Sequence, residues 1–268
     1  MHEKLKKRFA ETVFKKGSKK DQESALDKAY ADMSRRASGH NKTIKNSCIG
    51  WINKQFAELL EKSEASDFDF DEWHEKICMQ LVDEFNRSKA GFGTVGRAQK
   101  VINMGFKYLS CIDNSYDHLL KDCHMTLDGY TLAWYKECVM PWAKHEKKVD
   151  VKKIIEWSKI KDYGDYQLIQ TNIKDYLNQN PSPKYNVSIK NDKTTSFNCN
   201  CIDLPRSRFG AEFIVWEGEI IKAKYTAITK ELNYFVKKHR GVEAGRKKDE
   251  WLIGDNFTDY LKEYVKML

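Results

Sequence analysis

The sequence predicts a mainly α-helical fold, and three observations support this prediction. Proline, which breaks helices, occurs only 4 times in 268 residues. Lysine, glutamate, leucine and alanine, which favour helices, are abundant. Apolar residues recur every three or four positions, as in the series Trp73, Ile77, Leu81 and Phe85. These patterns indicate a chain built from amphipathic helices.

Each predicted helix is marked by its own apolar stripe. The second stripe, for example, consists of Ala25, Ala29 and Met33, and a basic loop follows it at 35–40. An acidic linker at 63–71 separates two further stripes. In chain order the stripes lie at 5–13, 25–33, 49–60, 73–85, 166–177 and 257–265.

Residues 181–206 interrupt the helical pattern. This stretch holds three of the chain's four prolines, and Tyr185, Val187 and Ile189 alternate with polar residues. An Asn-Asp dipeptide at 191–192 offers a turn. We therefore expect a small exposed β-hairpin or irregular loop, inserted between helices.

The charge of the chain is distributed unevenly. Residues 1–45 carry 13 basic and 6 acidic residues, and residues 222–248 carry 9 and 2. Between them, residues 46–90 carry 5 basic and 10 acidic residues. A net charge of +8 arranged in this way favours a polyanionic partner, although a solvated lysine-rich surface gives the same pattern. We expect 222–268 to form a basic helical extension.

Several features of the sequence predict a soluble cytoplasmic protein without a metal or cofactor. No apolar run approaches the roughly 18–20 residues that span a bilayer, and we expect no membrane association. The N-terminus lacks the features of a secretory signal. Seven cysteines are scattered along the chain, and the one close pair, Cys199 and Cys201, has no second pair at zinc-site spacing.

Residues 91–96 read Gly-Phe-Gly-Thr-Val-Gly, a glycine pattern that can bind phosphate. A dinucleotide site would need a strand before this loop, but the preceding residues have helical spacing. A glycine loop before a helix still presents backbone N–H groups at the positive end of the helix dipole. The alternative is an ordinary turn between two helices.

The helix after the loop carries Lys100, which we consider a candidate nucleophile. Lys100, Asn103 and Lys107 share one side of this helix, and apolar residues form the other side. A lysine near the positive helix end deprotonates more easily, and a neutral amine can form a Schiff base. Asp128, at the start of a later helix, either caps that helix or faces the lysine across a cleft.

The segment Gly93-Thr-Val-Gly96-Arg-Ala-Gln-Lys100-Val-Ile-Asn-Met, followed by Met125-Thr-Leu-Asp128-Gly-Tyr, resembles the helix-hairpin-helix DNA glycosylases. It looks most like the divergent branch of archaeal 8-oxoguanine (GO) DNA glycosylases, and the similarity covers residues 91–135. The loop lacks the usual Leu-Pro-Gly opening, Lys100 lies two residues further from the last glycine, and Thr126 replaces a proline. Gln99 or Lys107 is therefore an alternative to Lys100 as the residue facing the pocket.

The resemblance implies a single domain over 1–268, with two helical subdomains flanking a cleft and with the hairpin and catalytic segment at 86–135. Lys100 matches the family's Schiff-base lysine, and Asp128 matches its aspartate. The family's hairpin binds the DNA backbone, which implies this role for Gly93, Thr94, Gly96 and Arg97. Base-pocket candidates are Trp51, Trp73, Gln99 and Trp134.

The function implied is a monomeric DNA glycosylase that flips out and excises a damaged or modified base from duplex DNA, with possible lyase activity. Two alternatives stay open: a non-catalytic helical DNA- or RNA-binding protein, and an interaction module of a mobile element or defence system. The base itself is also open, since oxidised guanine and a hypermodified viral base fit equally. The role would be DNA repair in the first case and antiviral defence in the second.

Overall fold

The computed structural model describes residues 21–35, 37, 41–65, 67–146, 156–190, 196–216 and 218–219, together with residues 6, 10 and 14. For 186–190 and 196–202 it describes the backbone but not the side chains. The helices predicted at 5–13 and 257–265 and the basic extension 222–268 lie wholly or mostly outside these residues.

The described chain is mainly helical, as predicted. A π-helical segment, Tyr135–Val139, joins the helices Gly129–Trp134 and Met140–Glu146 without a break, and short 3-10 helices lie at Asn114–Leu119 and Trp157–Lys159. The remaining elements are α1 Gln22–Ser34, α2 Lys42–Lys62, α3 Phe70–Ser88, α4 Val95–Ser110, α5 Gly129–Trp134, α6 Met140–Glu146, α7 Tyr163–Gln179, β1 Lys184–Lys190, β2 Ser196–Asp203 and α8 at 208–216.

Polar residues fix where the longer helices begin. A side chain just before each helix accepts a hydrogen bond from a backbone N–H of the first turn, which otherwise has no partner. These residues are Asp21 for α1, Asn41 for α2, Asp69 for α3, Thr94 for α4 and Asp162 for α7.

The predicted apolar stripes at 25–33, 49–60, 73–85 and 166–177 are buried, except that Leu60 is half-buried. Together with apolar residues of the other elements, from α1 to α8, they form one continuous hydrophobic cluster. No helix in the described ranges is long and apolar enough to cross a lipid bilayer.

Helix α4 is central, and it differs from the expectation of one buried and one polar side. Of the polar side, Asn103 and Lys107 are almost completely buried, and only Lys100 retains some exposure. Residues of α7, of α8 and of the 123–127 segment cover this side of the helix through polar contacts. The sequence pattern shows polarity, but it does not show that buried polar partners lie opposite.

Strands β1 and β2 pair in antiparallel fashion within the 181–206 stretch, with an irregularity between Tyr185 and Val187. The base of this hairpin is bonded to residues of the helical body. Tyr185 is fully buried, and its hydroxyl donates to Glu219 at 2.9 Å. The Lys184 carbonyl accepts from the indole of Trp134 at 3.4 Å. The expected exposed insertion is therefore anchored to the helical body at its base.

Candidate active site

The glycine loop between α3 and α4 turns the chain sharply. Gly91 has a φ of 73°, a conformation that favours glycine. Gly96, in the first turn of α4, packs so closely against residues 156–160 that a Cβ atom there would lie 1.7 Å from the Trp157 carbonyl oxygen. The loop and the 156–160 segment therefore fit together only because residue 96 has no side chain.

The backbone N–H groups of Gly93 and Gly96, expected to bind phosphate, donate to acceptors inside the protein. Gly96 donates its amide to the Ile160 carbonyl at 3.0 Å, and Gly93 donates to the side chain of Asn86 at 2.8 Å. The hydroxyl of Thr94 donates to the Ser158 carbonyl at 3.0 Å. The structure thus corrects the assignment of Gly93 and Gly96 as free phosphate donors, because the 156–160 segment and α3 supply acceptors.

Arg97, the fourth residue expected at the DNA backbone, is half-buried and braces the same loop. Its guanidinium donates to the Phe92 carbonyl at 2.6 Å and stacks over the Phe92 ring at 4.4 Å. Burial lowers the pKa of Arg97 from its ordinary value. Arg97 also lines a cleft described below, so one part of its side chain supports the loop while another faces the cleft.

Lys100 lies in the second turn of α4, with its side chain only 12 % exposed. The ammonium sits over the ring of Trp157, 4.5 Å from its centroid. Burial lowers the pKa of Lys100, more than the carboxylates of Asp128 and Asp32 raise it. Desolvation, rather than the helix dipole invoked from the sequence, is thus the main cause of the lowered pKa.

Asp128 combines the two roles that the sequence left as alternatives. Its Oδ1 caps α5 by accepting from the amides of Tyr130 and Thr131, at 2.9 and 3.1 Å. Its Oδ2 lies 4.0 Å from the Lys100 Nζ and accepts from the indole N–H of Trp216 at 3.1 Å. The cap fixes the carboxylate and leaves the second oxygen directed at the lysine.

The two alternatives to Lys100 are buried, and their polar groups already bond to other parts of the protein. Gln99 is fully buried, and its amide bonds the backbones of Gly96 and Leu127 and the side chain of Asn103. Lys107 forms a buried ion pair with Glu212 of α8. Both side chains are almost fully buried, so the structure corrects the placement of Gln99 in a base pocket, and of the three only Lys100 keeps part of its side chain exposed.

The tryptophans expected to stack a base lie elsewhere. Trp51 and Trp73 line a groove of about 410 Å³ between α2 and α3, and Trp73 also packs on the core ring of Phe106. Trp134 is 1 % exposed, and its indole bonds the hairpin backbone. The tryptophans at the candidate site are instead Trp157 and Trp216.

Trp157 and Trp216 are the site residues that sequence reasoning missed. They follow Lys100 by more than fifty residues, and no local motif links them to it. Trp216 ends an apolar run at 213–216, but its contact with Asp128 depends on how α8 packs.

A cleft of about 550 Å³ opens near the Lys100–Asp128 pair, although neither of these two side chains lines it. Trp157, whose ring contacts Lys100, and Gly129, which follows Asp128, lie in its wall. Arg97 and Lys136 add positive charge, Glu156 adds negative charge, and Met33 of α1 adds apolar surface. Its volume falls within the ~300–1,000 Å³ usual for small-molecule sites.

A network of buried, hydrogen-bonded side chains lies next to the site. Asn103 accepts from His74 at 3.0 Å and donates to the hydroxyl of Tyr166, also at 3.0 Å. The Tyr166 hydroxyl bonds Nδ1 of His124, whose Nε2 bonds Asp71 at 2.7 Å. Since Asn103 Oδ1 and the Asp71 carboxylate only accept, both histidines carry their proton on Nε2. The network thus runs from Gln99 to the half-exposed Asp71.

No protein-family model, no curated protein and no solved structure matches this chain. The chemistry of the site therefore depends on its own residues and distances.

Proposed function

We propose that this protein is a DNA glycosylase that excises a damaged or modified base, with Lys100 as a Schiff-base nucleophile and Asp128 as its electrostatic partner. One observation carries the proposal: the Lys100 amine and the Asp128 Oδ2 lie 4.0 Å apart beside a cleft. The resemblance of 91–135 to helix-hairpin-helix glycosylases supports the same assignment.

The chemistry follows from the state of the amine. Because burial lowers the pKa of Lys100, a larger fraction is neutral near pH 7 and can attack the C1′ atom of a flipped nucleotide. The new N–C1′ bond forms as the C1′–base bond breaks, and the departing base takes the electron pair and a proton. The C1′–O4′ bond then breaks, O4′ takes up a proton from solvent, and a protonated Schiff base remains. Loss of a C2′ proton to solvent allows β-elimination, which breaks the C3′–O bond and releases the 3′ phosphate.

Asp128 serves this reaction through charge. Its Oδ2 accepts a proton from the Lys100 ammonium, which frees the neutral amine to attack, or stabilises the positive charge that develops on the sugar. The indole of Trp216 holds the same oxygen in place. Capping of α5 by Oδ1 prevents the carboxylate from rotating away from the lysine.

Borohydride trapping tests the proposal. Duplex oligonucleotides, each with one modified base or an abasic site, are incubated with the protein, and free base and covalent complex are measured. We expect a reduced covalent complex with at least one of them, and its loss in Lys100→Gln. Lys121→Gln, which removes an equal charge from an 80 % exposed side chain, serves as the control and should trap like the wild type.

Asp128→Asn is the second informative variant. Asparagine caps helices as well as aspartate does, so the fold should be retained while the charge is lost. We expect base release to fall on the order of 100-fold or more. Trapping that persists in Lys100→Gln would show that the nucleophile is another residue. Salt-dependent DNA binding without base release from any duplex would favour the non-catalytic alternative.

A further inference from the structure

The short segment 123–127, which leads into Asp128, is held by two buried glutamines. Gln99 of α4 donates to the Leu127 carbonyl at 2.8 Å and accepts from the Leu127 amide at 3.1 Å. Gln170 of α7 donates to the Met125 carbonyl at 2.7 Å and accepts from the Met125 amide at 3.1 Å. Each side-chain amide thus bonds both polar groups of one residue.

This arrangement supplies hydrogen-bond partners to backbone groups that are buried away from water. The segment is buried between helices and pairs with no strand in the part of the chain that the structure describes, so its N–H and C=O groups need other partners. An unpaired buried group costs about 1–3 kcal/mol. A glutamine amide has the donor and acceptor geometry of a peptide group, and it replaces the missing neighbouring strand.

The two glutamines differ in what they hold. Leu127 directly precedes Asp128, whereas Met125 lies three residues before it. Gln99 also directly precedes Lys100 on α4. The same turn of α4 therefore carries the Lys100 amine and, through Gln99, hydrogen-bonds the backbone of Leu127, the residue before Asp128. Bonds to Gly96 and Asn103 keep the Gln99 side chain from rotating.

We propose that Gln99 is a positioning residue that sets the distance between the Lys100 amine and the Asp128 carboxylate. It touches neither a substrate nor the reacting atoms, and it acts through the backbone of Leu127. The effect on catalysis rests on the proposed function, but the coupling between the two charged groups exists without substrate and can be measured in the protein alone.

The first test measures the pKa of Lys100 by NMR titration of the ¹³C-dimethylated protein, with Lys100→Gln used to assign the signal. Gln99→Met is compared with Gln170→Met, which breaks an equivalent pair of bonds further from Asp128. Because the Asp128 carboxylate raises the pKa of Lys100, a displaced carboxylate should lower it. We expect a downward shift in Gln99→Met and a wild-type value in Gln170→Met. Equal pKa values in both variants and the wild type would overturn the proposal.

The second test is the single-turnover rate of base release. We expect a loss on the order of 100-fold in Gln99→Met, with half-saturating DNA concentration unchanged, because the reacting groups are misplaced while DNA binding is not affected. Gln99→Glu, which keeps the oxygen that accepts from Leu127, should retain more activity than Gln99→Met. Equal losses in the two methionine variants would reduce Gln99 to a general structural role and refute the proposal.

Failure of the proposed function and failure of the proposed role of Gln99 can be distinguished. If the wild type releases no base, the proposed function fails, while the Lys100 titration still decides the role of Gln99. If Gln99→Met does not fold, as judged by circular dichroism, the uncharged variants Gln99→Asn and Gln170→Asn, whose shorter side chains no longer reach the backbone, form the matched pair. A lower pKa for Lys100 in Gln99→Asn alone then supports positioning, and equal pKa values refute it.

Discussion

The two oxygens of Asp128 show how one residue can be a helix cap and a charge partner at once. From the sequence, an aspartate before a helix is first of all a cap, and the lysine partner was an alternative. In the structure Oδ1 caps and Oδ2 faces Lys100 and Trp216. The two readings do not compete, because a carboxylate has enough lone pairs for both.

At the same scale, Gly96 makes a prediction about stability. In Gly96→Ala the added Cβ would overlap the Trp157 carbonyl, which is backbone and cannot rotate away. The 156–160 segment must shift, and we expect a loss of about 3 kcal/mol in the free energy of unfolding. Urea denaturation followed by circular dichroism measures this loss.

Gly50, an exposed residue inside α2, is the matched control. A Cβ at Gly50 meets nothing within 4 Å, so Gly50→Ala should gain about 0.5–1 kcal/mol from helix propensity. A Gly96→Ala variant as stable as the wild type would show that the 156–160 segment does not pack on α4 as described.

At the scale of elements, α4 organises the molecule because partners surround it. Its first turn receives the 156–160 segment, its second turn carries Lys100, and its last turn pairs with α8. Sequence periodicity predicted an amphipathic helix, and the apolar side is indeed buried. The burial of its polar side was not predictable, since it depends on Leu127, Tyr166 and Glu212, which lie far along the chain.

The Lys107–Glu212 ion pair between α4 and α8 yields a second prediction. Both side chains are almost fully buried, and burial raises the pKa of Glu212 even though Lys107 lowers it. In Glu212→Gln the Lys107 ammonium loses its counter-charge, and the free energy of unfolding should fall by about 3–5 kcal/mol. Urea unfolding at pH 7 measures the change.

A double-mutant cycle provides the control for this pair. The Lys107→Met/Glu212→Gln variant removes both charges, so it should be more stable than the sum of the two single losses predicts, by about 1 kcal/mol or more. Strict additivity would mean that the two side chains do not interact in the folded protein.

At the scale of the whole molecule, the polar network from Gln99 to Asp71 links α3, α4, α7 and the 123–127 segment. Its hydrogen bonds have consistent directions only when His74 and His124 are neutral. Burial lowers the pKa of His124 to about 4, although Asp71 raises it, and burial also lowers the pKa of His74. Protonation would reverse a donor and an acceptor inside the core.

This network predicts that stability falls in mild acid. Since the folded pKa of His124 is about 4 and the ordinary value is 6.5, the unfolded state takes up the proton first. The stability is complete above pH 6.5 and is lost as the pH falls toward 4. Between pH 7 and pH 5, His124 alone should cost about 2 kcal/mol, measured by urea unfolding.

Two comparisons isolate this effect. Replacing the 85 % exposed His145 by glutamine should leave the pH dependence unchanged. Glu212, whose pKa is raised, works in the opposite direction, so NMR titration of the imidazole signals assigns the histidine part directly. A His124 signal that titrates near 6.5 in the folded protein would contradict the network. Asp71, with a pKa of about 2, loses its contribution only below this range.

The sequence by itself determined the helical class and the buried stripes, because these depend on residues within a few turns of one another. It also singled out Lys100 and Asp128. Only the tertiary structure decided that the amides of Gly93 and Gly96 donate to acceptors inside the protein and that Gln99 hydrogen-bonds the Leu127 backbone. It also decided that Trp157 contacts Lys100 and that Trp216 contacts Asp128. These facts depend on contacts between segments far apart in the chain, and hydrophobic periodicity carries no information about which buried polar groups meet.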